Sequence, residues 1–214
     1  MPLVPHAFYS FQWIPFFKGI TAVLGILSLC FFSAPVCAAP SLFQQAIEVL
    51  QGGGKAVVTE APSRAEVAFS PNGGATDLVV RAIDSATQSV RVASYSFTSR
   101  PIAAALARAR GRGVDVALVV DHGEVQKGNH GLVSWIAEHN VPVRVDVIHT
   151  LLHDKYMVVD GKTVETGSFN FTAAAEQHNA ENVLVLWDDP PLAALYAHDW
   201  QALWDKAEAY HTGR

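Results

Sequence analysis

The stretch His153-Asp154-Lys155-Tyr156-Met157-Val158-Val159-Asp160 reads H-x-K-x4-D and occurs once in the 214 residues of the chain. Its second half is apolar and partly β-branched, the composition of a buried strand, and Asp160-Gly161 supplies a turn at its end. Residues two apart on a strand face the same way. His153 and Lys155 are therefore expected to share one face, an imidazole beside an ammonium, which suits an anionic substrate.

Downstream, Gly167-Ser168-Phe169-Asn170-Phe171-Thr172 places a hydroxyl and an amide on one side and two phenylalanines on the other. Glycine at its head lets backbone come close. Asn179-Ala180-Glu181-Asn182 then precedes the apolar run 183–187, so Glu181 stands as a carboxylate at the mouth of a further strand.

These three runs, H-x-K-x4-D, G-S-x-N and N-A-E-N, in this order, resemble the phospholipase D superfamily and within it the small secreted bacterial endonucleases. The resemblance covers roughly residues 65–204, and Tyr95-Ser96-Phe97-Thr98 after the run 90–94 also looks like that branch. It implies that His153 attacks phosphorus to form a phosphohistidine that water resolves, splitting one hard displacement into two easier ones. Lys155 and Asn170 would hold the non-bridging oxygens, Ser168 would donate a further hydrogen bond, and Glu181 would bond the free ring nitrogen of His153. Asp160 would brace the backbone. A second histidine has to protonate the leaving oxygen. With one motif per chain, the resemblance implies a homodimer that brings two copies of His153 together across a two-fold axis.

Around the motif, apolar periodicities alternate: strand 66–70, helix 76–87, strand 89–94, helix 101–110, strand 114–120, helix 131–139 and strand 141–147. Alternation of this kind predicts an α/β fold, a mixed central sheet flanked by helices, as a single domain over 65–214. Pro101 and Gly111 bracket one helix in the usual way. A last helix, 191–210, carries Leu192, Leu195, Tyr196, Trp200, Leu203 and Trp204 at helical spacing, with both tryptophans expected as core anchors.

The first 38 residues read as a secretory signal peptide: Lys18, an apolar run over 19–33, and Val36-Cys37-Ala38 before the cleavage point. The apolar run, about 15 residues, falls short of the ~20 that a spanning helix needs. The mature protein is accordingly expected in the periplasm or outside the cell, with no stable membrane association. Residues 39–64 form an appendage with helical spacing over 41–51 and a linker opened by Gly52-Gly53-Gly54. Both cysteines, Cys30 and Cys37, lie in the leader, which leaves the mature chain without a thiol for a disulfide or a cysteine-based zinc site. Removing the leader takes away one lysine and no acid, leaving 14 basic against 20 acidic side chains, a net of −6.

That sign is opposite to what binding to nucleic acid favours, since such affinity comes largely from Lys and Arg releasing counterions. Arg100, Arg108, Arg110 and Arg112 offer a local basic stretch, and Arg100 and Lys127 are the candidate phosphate contacts outside the motifs. Nine histidines include His122, His130, His149 and His178, but no H-E-x-x-H pattern occurs and no metal or other cofactor is expected. The function these readings favour is a metal-independent, sequence-nonspecific endonuclease acting on DNA, with RNA as a second candidate substrate. A phospholipase D-type lipid phosphodiesterase is the alternative, and a non-catalytic nucleic-acid-binding protein the weaker one.

Overall fold

In the computed structural model, which describes residues 64–126 and 130–212, the run that follows His153 is strand β5, Lys155–Val159, with every residue buried. It is the fourth strand of an eight-stranded mixed sheet. In chain order the elements are β1 (Arg64–Ser70), α1 (Ala75–Asp84), β2 (Ser89–Ser94), α2 (Arg100–Gly111), β3 (Asp115–Asp121), α3 (His122–Gln126), α4 (His130–Glu138) and β4 (Val143–Asp146). After β5 come β6 (Thr163–Gly167), α5 (Ala173–Gln177), β7 (Glu181–Trp187), α6 (Pro190–Lys206) and β8 (Glu208–Ala209). Across the sheet the order is β1-β7-β6-β5-β2-β3-β4-β8.

The sheet has two halves of different character. β2, β3 and β4 run parallel, linked by helical crossovers, whereas β5, β6, β7 and β1 are antiparallel neighbours. Parallel strands need crossovers of a dozen or more residues, and antiparallel ones can turn back at once. β5 and β6 do so through Asp160 and Gly161, both left-handed at φ 52° and 63°. This is the turn that the Asp-Gly pair predicts.

Alternation along each strand feeds two cores. On one face, Val90, Val92, Leu118, Met157, Val183 and Val185 pack with Leu78, Ile83, Ile102, Leu106 and Ile136 from the helices. On the other, Ala93, Val119, Val158 and Val164 meet Ala193, Trp200 and Leu203 of α6. Trp200 is buried and its indole donates to the Val92 carbonyl at 2.9 Å. Trp204 stacks on it at 4.9 Å beneath the Arg144 guanidinium, so both act as the anchors expected of them.

Within the described residues the expected elements recur, β2 with the expected bounds and the others with shifted ends. The last helix stops at Lys206 rather than 210: Ala207 is extended, and β8 closes the β4 edge, with the Tyr210 amide donating to the Val143 carbonyl at 2.9 Å. Strand β6 and the short helices α3 and α5 have no counterpart in the sequence pattern, because each is brief and mixes polar with apolar side chains. The leader, the helix over 41–51 and Lys127 lie outside the described residues.

Candidate active site

β2 and β3 end, β5 and β7 begin, and β6 ends at one edge of the sheet, which follows from the register pairs Ser94 with Lys155, Gly167 with Val183 and Ser70 with Glu181. That edge lies outside the carboxyl ends of the parallel strands, where open α/β sheets place ligands. All three sequence runs converge on it.

His153 sits exposed in the extended segment just before β5, and its ring meets that of Tyr95 at 4.8 Å between centroids, tilted by 54°. Lys155, at the first position of the strand, is 7 % exposed. Its ammonium donates to the His153 carbonyl at 2.5 Å and lies 5.3 Å from the centre of the Tyr95 ring. Burial pushes the Lys155 pKa down, and Asp154 and Glu181 push it back up. The ammonium is thus desolvated yet flanked by carboxylates, a state in which an arriving anion interacts far more strongly than it would in water.

The second run is fixed by close packing of β6 on β7. A Cβ on Gly167 would stand 2.2 Å from the Asn182 carbonyl oxygen, so only glycine lets the strands approach here. Phe169 and Phe171 are buried and pull the chain into the core, as expected, while Ser168 remains exposed. The Ser168 hydroxyl donates to Glu181 Oε2 at 2.6 Å and accepts from the Asn182 amide at 3.1 Å. Asn170 has a buried Oδ1 with no hydrogen-bond partner among the described residues. Such an orphaned group costs ~1–3 kcal/mol, the kind of expense found where a group is kept for a ligand.

Glu181 differs from expectation. Its carboxylate oxygens are taken by Ser168 and by the Asn179 side-chain amide at 3.1 Å, not by the His153 ring. The physical reason is register: Glu181 opens β7 beside the end of β6, where Ser168 follows Gly167, and β6 separates β7 from β5. Asp160, at the other end of β5, does brace the backbone. Its carboxylate accepts from the Thr87, Gln88 and Ser89 amides and from the Thr87 hydroxyl, at 2.7–3.2 Å. Partial burial alone would raise its pKa, but these donors outweigh that and hold it below the usual carboxylate range.

The basic stretch is split. Arg108 pairs with Asp84 and Arg112 donates to the carbonyls of Ile83, Asp84 and Ala86, at the far end of α2 from the site. Arg100 alone lies at the near end, exposed, next to Ser99, whose amide donates to the Phe171 carbonyl. Sequence reasoning missed Tyr95 as the ring against His153, and it missed Tyr156 and Asp199, which share a 2.7 Å hydrogen bond beside the motif. The Y-S-F-T resemblance was a signal for Tyr95. Nothing local links Tyr156 to a residue 43 positions away. Among the described residues no group of His, Cys, Asp and Glu forms a metal-binding cluster, and no helix is long and apolar enough to cross a membrane.

Comparison with known proteins places this edge in context. A family model described as "Cardiolipin synthase, PLD-like domain" matches residues 79–204. "Phospholipase D" of Rickettsia bellii is 36% identical over 138 residues, 64% of this chain and 68% of that protein. "Mitochondrial cardiolipin hydrolase" of Drosophila melanogaster is 32% identical over 59% of this chain and 57% of its own length. The crystal structure of Nuc from Salmonella typhimurium, a phospholipase D family member, superposes with a TM-score of 0.68 at 43% identity, covering 70% of this chain and 99% of that one. NucT from Helicobacter pylori shares the fold, with a TM-score of 0.62 at 23% identity over 69% and 99% of the two chains. With its three motif runs gathered at one sheet edge and most of the domain matched, the chain belongs to the phospholipase D superfamily and is a phosphodiesterase of that superfamily.

Proposed function

We propose that the protein is an endonuclease, exported by its leader, that cleaves DNA, and RNA by the same chemistry, without a metal ion and without sequence preference for the phosphate it attacks. The observation that carries this is the likeness to Nuc along nearly the whole of that chain, with a single H-x-K-x4-D motif in a domain of the same extent. In the first step a ring nitrogen of His153 forms a bond to phosphorus as the bond to the leaving oxygen breaks. A second imidazole gives that oxygen a proton. Water then replaces the histidine on phosphorus, losing its proton to the same second imidazole.

Lys155 and Asn170 stabilise the charge gathered on the non-bridging oxygens. Ser168 has its hydroxyl proton on Glu181, so it serves substrate by turning away from that partner or by holding the β6–β7 edge in shape. The second imidazole is His153 of another copy, placed by a two-fold axis, and the active unit is a homodimer. Lysine and two imidazoles supply the positive charge that a divalent ion would otherwise bring.

The test offers the purified protein plasmid DNA and, separately, phosphatidylcholine vesicles, both in excess EDTA, with His153→Ala alongside. Nicking of the plasmid that the substitution abolishes supports the reading. Hydrolysis of vesicles with intact plasmid would put the lipid phosphodiesterase in its place, and nicking that survives the substitution would remove His153 as nucleophile. A variant that is monomeric by light scattering yet fully active would sink the shared site.

A further inference from the structure

At the motif, on the α6 side of β5, lies a cavity of about 360 Å³ whose lining includes His153, Asp154, Lys155, Tyr156, Tyr196 and Asp199. His153 and Lys155 supply the part of this lining that the reaction uses, and Tyr156, Tyr196 and Asp199 have no part in the steps above. Its size falls in the range of small-molecule sites, and its lining adds acidic and aromatic side chains to the imidazole and ammonium that handle phosphate. Two carboxylates, Asp154 and Asp199, face into it. Partial burial and then the Asp199 carboxylate push the Asp154 pKa up, against the pull of Lys155, His149 and His153. The attacked phosphate belongs with Lys155 and His153, whereas a group resting against Asp199 is favoured when it is neutral or cationic and carries hydrogen-bond donors.

Tyr156 is 4 % exposed and its hydroxyl donates to Asp199 Oδ2 at 2.7 Å, which fixes that carboxylate and leaves its other oxygen to accept from a ligand. Burial and Asp199 both push the Tyr156 pKa far up, so the hydroxyl keeps its proton and stays a donor. Tyr196 meets Tyr156 edge to face, with centroids 5.0 Å apart and planes at 72°, and remains half-buried. With Tyr156 buried, Tyr196 is the tyrosine of the pair that has surface to offer. That is a platform for stacking one flat group, whereas an aromatic cage for a quaternary ammonium needs several converging faces.

Resting on the nuclease reading and deepening it, we infer that this cavity is a nucleobase subsite next to the scissile phosphate, with Tyr196 as the stacking surface and Asp199 accepting from an exocyclic amino group. Adenine and cytosine present such a group and thymine does not. The attacked phosphate is then chosen without sequence preference from its own contacts, while the adjoining base biases the rate.

Full-length protein is given short single strands of oligo-dA, oligo-dC and oligo-dT in separate reactions, and kcat/KM is measured for each. For the wild type, dA and dC are expected to exceed dT by about tenfold. Asp199→Ala brings the three to within about twofold, and Tyr156→Phe, which frees the carboxylate to move, takes the ratio part of the way. Tyr196→Ala lowers all three together by about tenfold, since stacking reads no donor pattern. If Asp199→Ala does not fold, the pair Tyr156→Phe with Asp199→Leu removes the hydroxyl and its partner at once and is held to the same equalisation. A wild-type preference below about twofold, or one that survives in folded Asp199→Ala, overturns the subsite. Strands cut without preference, or left uncut by protein that nicks plasmid, defeat this inference alone, whereas strands and plasmid both left intact defeat the nuclease reading as well. Phosphatidylcholine hydrolysis that Asp199→Ala abolishes would overturn it in favour of a cationic head group.

Discussion

Strand β5 has two ends, and they use charge in opposite ways. At its start, Lys155 is buried with a single neutral acceptor, the His153 carbonyl, and its pKa is pushed down. At its finish, Asp160 is only partly buried, is surrounded by donors from residues 87–89, and its pKa is held down as well. For a lysine, a lowered pKa means that the charged form is disfavoured; for an aspartate, it means that the charged form is favoured. One end therefore keeps its charge at a cost in stability, and the other gains stability from it. At the middle of the neighbouring strand β6, Glu165 is a third case: fully buried, with neither oxygen partnered among the described residues, its pKa raised well above the usual range by desolvation. Whether groups that stabilise the charged form outweigh its desolvation decides which of these a charged group becomes.

The comparison is broken or sharpened most by His153→Ala, expected to lower the single-turnover rate by about 10⁴-fold or more, as loss of a nucleophile does, while thermal melting stays that of the wild type. Coupled loss of rate and melting temperature would mean that the start of β5 is structural after all. Next comes Lys155→Met, a change of similar length without the charge. Its rate is expected to fall about 10²–10³-fold. Its urea midpoint should match or exceed the wild type, because a desolvated ammonium has gone. A clear drop in the midpoint would contradict the cost assigned to that end.

At the finish of the strand, Asp160→Ala should reverse the pattern, losing about 2–4 kcal/mol in urea unfolding through several orphaned donors, with the folded fraction still active. Asp160's contribution is present above the unfolded carboxylate pKa and is lost as pH falls through its lowered folded value, so the variant's deficit should shrink in acid. The smallest effect is that of Glu165→Gln. Its pKa is raised on folding, so its contribution is full below the ordinary glutamate pKa and declines as pH rises toward the folded value, by up to about 1.4 kcal/mol per pH unit. Glutamine cannot titrate. Melting curves should therefore separate in the variant's favour at alkaline pH and converge in acid, and parallel curves would show that Glu165 has a partner.

How much of this was legible in the sequence depends on distance along the chain. The β5 strand, the Asp160-Gly161 turn and the inward Phe169 and Phe171 follow from runs of a few residues whose periodicity is strong. Family resemblance supplied His153, Lys155, Ser168, Asn170 and Glu181 as a set, and the strand register brings their elements to one edge. The partner of Glu181 was misjudged because a motif names residues without saying which strand lies between them. β6 was illegible: Thr163-Val164-Glu165-Thr166-Gly167 interrupts its apolar pattern with the very glutamate that proves to be buried. No propensity places a carboxylate there. Likewise Tyr156 looked like one more apolar strand residue, and only α6 laid across β5 reveals Asp199 as its partner.

The Trp200–Trp204 pair brings an optical consequence. Two indoles stacked at 4.9 Å, with planes 22° apart and one of them hydrogen-bonded to the sheet through Val92, form a coupled and rigid chromophore. Near-ultraviolet circular dichroism should carry its signature for as long as α6 stays docked, and buried-tryptophan emission should shift red when it leaves. Because the cavity wall formed by Tyr196 and Asp199 belongs to the same helix, the protein contains its own reporter for whether that wall is in place, readable in every variant without a label.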